Sequence, residues 1–164
     1  MRFFKKLLII LIIVFVIIQF FRPEKNISAQ TSRNDITTIH PMPGEVKAIM
    51  SKACFDCHSN NTRYPWYAEV QPVAWWLADH VEEGKGGLNF SEFAAYSPRK
   101  QYRKLEEAEE LVKEKEMPLA SYTWIHNDAR LSDDERRVIA DWFVSVREKM
   151  KSEYPADSLK RLRR

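Results

Sequence analysis

The sequence predicts an all-α fold, on three observations. Each apolar pattern with a period has helical spacing, no stretch alternates like a strand, and the segment boundaries carry helix caps and stops. The 164 residues suffice for one domain with a real core and fall short of two. With 45% hydrophobic and 30% charged residues, five Trp and only four Gly, the chain reads as folded rather than disordered.

The first element is an apolar run. Arg2, Lys5 and Lys6 precede Leu7 to Ile18, which continues through Phe20 and Phe21 to a close at Arg22 and Pro23. A basic start before an apolar stretch is an export pattern. No A-x-A pattern follows, and Ile27-Ser28-Ala29 is a poor substitute. Residues 1–22 are therefore read as an uncleaved signal anchor, a single transmembrane helix, in preference to a removed signal. Basic residues stay cytoplasmic, so the remainder is expected on the periplasmic, exported side of the cytoplasmic membrane. Taking these three from the 26 Lys and Arg leaves 23, equal to the 23 Asp and Glu. A neutral body gives no footing for nucleic-acid binding.

Residues 23–42 show little periodicity and carry Ser, Thr, Asn and Pro, which reads as a tether. The folded body is expected over 43–150. Its first helix begins near Gly44, with Val46, Ile49, Met50 and Ala53 on one face. The second starts at Pro72, carries Val73, Trp76, Leu77, His80 and Val81 as an apolar stripe, and ends at Gly84, Gly86 and Gly87. The third opens with Ser97 and Pro98, turns Leu105, Ala108, Leu111 and Val112 inward, and stops at Pro118. Its charge run, with Glu109 and Lys113 at i, i+4, reads as a solvated face. The fourth carries a capping box, Ser132 with Glu135, ahead of Val138, Ile139, Trp142, Phe143 and Val146. Residues 151–164 form a basic tail, with Lys160, Arg161, Arg163 and Arg164, expected to be a frayed end.

The chemistry is concentrated in Cys54-Phe55-Asp56-Cys57-His58. C-x-x-C-H is the attachment spacing of c-type haem. Two thiols three apart lie on one side of a helical turn, able to meet two vinyl groups along one porphyrin edge, and the next residue is held against the iron. The expected cofactor is therefore one covalent haem c. A zinc site would need a fourth ligand, which no second C-x-x-C or H-x-x-x-H supplies. A thioredoxin-like pair would need a βαβ context.

One His leaves a second axial position. Met117, about sixty residues past the motif and followed by Pro118, is the preferred ligand, because a thioether there raises the potential and blocks small ligands. Its rival role is gap filling in the core. His80 and His126 are alternatives, as is an open site; His40 and Met42 lie in the tether and are poor candidates. His58 is expected to donate its other N–H to an acceptor within Asn60 to Tyr67. Arg63, Tyr64 and Trp66 are candidate partners of a haem propionate, with aromatic packing as the plainer reading. Trp75, Trp76, Trp124 and Trp142 are expected to pack the core.

The run Cys-Phe-Asp-Cys-His-Ser-Asn-Asn-Thr-Arg-Tyr-Pro-Trp-Tyr at 54–67 resembles the bacterial haem-binding-domain family, small proteins related to cytochrome c. The similarity continues through His80-Val81-Glu82-Glu83-Gly84, Leu88-Asn89-Phe90-Ser91, Met117-Pro118-Leu119 and Leu131-Ser132. The resemblance covers roughly Pro43 to Arg147. It implies a cytochrome c-like helical domain around one covalent haem, with Met117 as ligand by analogy with the Met-Pro turn of class I cytochromes c. An electron-transfer protein working with redox partner proteins is the expected function, not an enzyme. A haem sensor or ligand-binding module with an open or labile sixth site is the alternative. A small peroxidase ranks last, since no Arg-His pair stands at recognisable spacing.

Overall fold

The computed structural model describes residues 2–159 and is all-helical, with no strand among them. Helix α1 (Arg2–Ile18) stands apart from the body, apolar and exposed around its circumference. Then come α2 (Gly44–Ala53), α3 (Phe55–His58), α4 (Val73–Gly87), α5 (Pro98–Lys113), α6 (Ala120–Ile125), α7 (Asp133–Glu153) and α8 (Ala156–Leu159). Short 3-10 turns at Ile36–Thr38, Trp66–Glu69, Phe90–Ala95 and Asn127–Ala129 link them.

The core follows from the predicted apolar faces. Val46, Ile49 and Met50 of α2 meet Leu105 and Val112 of α5 and Ile139, Phe143 and Met150 of α7, all buried. Phe90 stacks on Phe143 at 6.4 Å with an interplanar angle of 6°, an offset arrangement favoured by the ring quadrupoles. The α7 start is the expected capping box: Ser132 Oγ accepts from the Glu135 N–H at 3.1 Å, and Glu135 Oε2 accepts from the Ser132 N–H at 2.9 Å.

Several expectations are corrected. The segment 23–42 is packed onto the body. Ile36 is buried, as is His40. Asn26 donates Nδ2 to Ser59 O and Thr62 Oγ1, both at 2.9 Å, and its N–H to Tyr64 Oη at 2.7 Å. Polar side chains here satisfy buried backbone rather than solvate a linker. Helix α5 ends at Lys113, before Pro118, because Lys115 takes a left-handed φ of 64° and the Glu116 and Met117 N–H groups turn back to Leu111 O. Glu109 on its charged run is buried and pairs with both Lys113 and Arg147 of α7. Of the four tryptophans expected in the core, only Trp142 is buried; Trp75, Trp76 and Trp124 are exposed. The tail folds back through α8, where Leu159 is buried and Arg99 Nη2 donates to Asp157 O at 3.1 Å. Lys160, Arg161, Arg163 and Arg164 lie outside the described residues.

Among the described residues no helix is long and apolar enough to cross a membrane. Helix α1 has 17 residues, a rise of about 25 Å against a hydrocarbon core of about 30 Å.

Candidate haem site

The Cys-x-x-Cys-His motif occupies the end of α2 and the single turn of α3. Cys54 closes α2, its N–H donating to Met50 O at 2.8 Å, and the His58 N–H reaches back to Cys54 O at 3.0 Å. The turn is pressed against α4. A Cβ on Gly84 would lie 2.6 Å from Cys57 O, so only glycine lets the two backbones approach this closely. Gly84 therefore sits inside α4 as a contact point, whereas the sequence reading used it as a stop.

The motif opens onto a cavity of about 350 Å³, within the usual range for small-molecule sites. Cys54, Cys57 and His58 line one wall. Met117, Pro118 and Leu119 line it too, with Tyr122. Phe90, Phe143, Leu111 and Val112 make it apolar. His80 and Lys104 also line it.

Burial sets the state of the donors. It pushes the Cys54 thiol up to about 12 and the Cys57 thiol to about 11, with Cys57 and then Asp56 adding to the respective shifts. Both are protonated, free thiols at neutral pH. Burial also lowers His58 below the ordinary imidazole value, against hydrogen bonding to Leu88 and Gly84 carbonyls, and so favours the neutral, ligating ring. His58 Nδ1 lies 2.8 Å from Leu88 O, leaving Nε2 as the nitrogen available to a metal. The acceptor is thus a backbone carbonyl, and it comes from the residue after α4 rather than from Asn60 to Tyr67.

The middle of the motif has a role of its own. Asp56 is buried; its carboxylate accepts from Arg63 N at 3.0 Å, Arg63 Nη2 at 3.0 Å and Tyr122 Oη at 2.7 Å. This ties α3 to the following loop and to α6. Tyr122 stacks on His126 at 4.4 Å, and His126 Nε2 lies 2.6 Å from Tyr67 Oη.

The proposed propionate partners are placed elsewhere. Arg63 is committed to Asp56, Tyr64 accepts from Asn26, and Trp66 is 80% exposed; none lines the cavity. His126 does not line it either, nor do His40 and Met42. Lys104 does, 2.6 Å from Glu107 Oε2. The sequence reading missed it, although Lys104, Ala108 and Leu111 stand at i, i+4 and i+7, one face of α5. Arg136 was missed as well: from α7 it donates Nη1 to Met117 O at 2.7 Å and Val112 O at 2.9 Å, fastening the Met117 turn.

These residues fit a haem by the chemistry of their donors. Two reduced thiols and an imidazole share one turn, a thioether stands on the same apolar cavity, and no three His, Cys, Asp or Glu side chains among the described residues gather as an alternative metal site. A family model described as a haem-binding domain matches residues 13–145. No curated protein and no solved structure matches the chain.

Proposed function

Because the chain belongs to the haem-binding-domain family, we propose that it is a membrane-attached, single-haem c-type cytochrome that transfers electrons on the exported side of the membrane. Cys54 and Cys57 would hold the haem as two thioethers. His58, through Nε2, and Met117 would be the residues that ligate its iron. The haem supplies a one-electron iron centre when bound.

One observation carries the reading: a fixed His58 ring, with Nδ1 held by Leu88 O, shares a cavity with the Met117 side chain. A strong donor and a thioether favour a closed, high-potential iron suited to electron transfer. Lys104 is the side chain best placed to offset propionate charge, since it lines the cavity. Membrane attachment is supported by α1. Its turn continues through i to i−3 bonds at Gln19, Phe20 and Phe21, so the stretch from Leu7 to Phe21, free of charged side chains, makes a rod of about 22 Å beyond the basic start. Basic Arg2, Lys5 and Lys6 at its start favour export of the body. Redox partner proteins would be met on that side, and no enzymatic role is proposed.

A haem sensor with a labile sixth site is favoured by one feature. His80 lines the same cavity with Nδ1 engaged by Trp76 O at 2.9 Å, so its Nε2 competes with Met117.

The deciding experiment is the visible spectrum of the oxidised holoprotein. A low-spin spectrum with the weak far-red sulfur-to-iron band, lost in Met117→Ala, supports electron transfer. A high-spin spectrum without that band sinks the Met117 assignment and favours the sensor.

A further inference from the structure

We propose that the α4 face bearing Trp75 and Trp76 docks on the lipid bilayer surface, so that the haem domain rides in one fixed orientation rather than on a flexible leash. The inference rests on the reading of α1 as lipid-embedded.

It starts from how α1 joins the body. Gln71 is fully buried beside the α1 exit. It donates Nε2 to Phe21 O at 2.7 Å, and its own N–H donates to Gln19 Oε1 at 2.9 Å. Trp75 Nε1 donates to the same Phe21 O at 2.8 Å, and the Trp75 N–H donates to Gln71 Oε1 at 3.2 Å. Three of these hydrogen bonds thus clamp the chain leaving α1 to the start of α4, and the fourth ties Gln71 to the first turn of that helix. A rod held this way transmits its own placement to the domain.

The surface beside the clamp suits a bilayer interface. Phe20 is 81% and Phe21 62% exposed, and next to them Trp75 and Trp76 keep 41% and 43% of their surface in contact with solvent. Large aromatic rings with one polar edge collect at the headgroup level, where the ring is covered and the N–H stays paired. Arg22 and Lys25 share the carboxylate of Glu69, and Glu24 lies between them in the chain, so the rod's exit carries no net charge and the docking rests on the aromatic surface. Trp76 packs on His80 at 4.3 Å, and His80 lines the haem cavity. Docking therefore brings the His80 wall of the cavity to the lipid side.

The test is hydroxyl-radical labelling of the haem-loaded full chain in vesicles of phosphatidylcholine and phosphatidylglycerol, read at each tryptophan by mass spectrometry. Trp66 and Trp124, 80% and 78% exposed, are internal references. Exposure alone makes Trp75 and Trp76 about twofold less reactive than these; docking makes the ratio about fivefold or more. Gln71→Ala should return the ratio to about twofold while the chain still sediments with the vesicles. A twofold ratio in sedimenting wild-type chain overturns the docking and leaves the anchor standing. A chain that stays in the supernatant overturns both. Protection that grows with protein-to-lipid ratio assigns the face to a second copy and also overturns the docking.

Discussion

Tyr122 donates its hydroxyl hydrogen to Asp56 Oδ2 across 2.7 Å, joining α6 to the middle of the Cys-x-x-Cys-His motif. The bond spans 66 residues of sequence and is made by a carboxylate buried between the two cysteines. Its effect is to hold the α3 turn, and with it both thiols, in place on the cavity that Met117 also lines.

Tyr122→Phe should therefore destabilise the holoprotein by about 1.5–3 kcal/mol, the cost of removing a donor from a buried charged acceptor. Asp56→Ala should cost at least as much, since it also strands the Arg63 N–H and Tyr122. Urea unfolding of the two variants and the double variant checks this. If the single losses simply add, the two side chains do not act through one another and the account is wrong.

Gly84→Ala tests the close approach of α4. The new Cβ would meet backbone, Cys57 O at 2.6 Å, which has little freedom to retreat. A loss of about 1–3 kcal/mol is expected, with less haem attached per chain. Gly86 has nothing within 4 Å of the same added atom, and Gly86→Ala should instead gain about 0.5–1 kcal/mol. Similar effects at both positions would show that helix propensity, not the contact with Cys57, governs Gly84.

What the sequence made legible was the part written in local spacing. The α2 face, the Ser97 and Ser132 caps and the single turn of the Cys-x-x-Cys-His motif all came from residues close in the chain. Leu88 O was not legible, because a backbone carbonyl carries no residue signature. Asp56 was given no role between the two cysteines; only the fold shows that Tyr122, far along the chain, reaches it. The 23–42 segment misled for a related reason. Asn26 and Asn34 have linker composition, yet Asn34 Nδ2 reaches Glu92 Oε2 at 3.0 Å and Asn26 pairs with Ser59 and Thr62. Trp76 was read as core because it falls on the apolar stripe of α4, yet it is 43% exposed, since periodicity shows which residues share a face and not what covers that face.

A pH dependence follows from Lys52 and Glu135. Lys52 Nζ lies 2.6 Å from Glu135 Oε1, each side chain 29% exposed, linking α2 to the start of α7. That hydrogen bond, and then the one to the Ser132 N–H, hold the Glu135 carboxyl below its ordinary value of 4.5. A depressed carboxylate contributes stability that is complete above the ordinary value and is lost as pH falls through the depressed one. Lys52→Met should thus cost about 0.5–1 kcal/mol at neutral pH. The difference from wild type should close as the pH is lowered below 4.5. Thermal unfolding across that range is the measurement, and a difference that stays constant would assign the loss to packing.

Arg136 should control how firmly Met117 is held. Its Nη1 donates to Met117 O at 2.7 Å and to Val112 O at 2.9 Å, so one guanidinium from α7 spans the end of α5 and the methionine turn. Arg136→Leu keeps much of the side-chain volume and removes both bonds. The two carbonyls then turn to water, and the 114–118 segment loses its link to α7. The variant should fold, since hydrogen bonds of this kind contribute about 1.5–3 kcal/mol out of a larger total. As the proposed ligand, Met117 should leave the iron more readily. The far-red sulfur-to-iron band would fade at lower temperature than in wild type, and external imidazole would bind about tenfold more tightly, equivalent to about 1.4 kcal/mol of lost ligand holding. Arg136→Lys, a point charge without the fork, should restore only part of the effect. An Arg136→Leu band that fades at the wild-type temperature would show that Pro118 and the α5 end hold the methionine without help from α7.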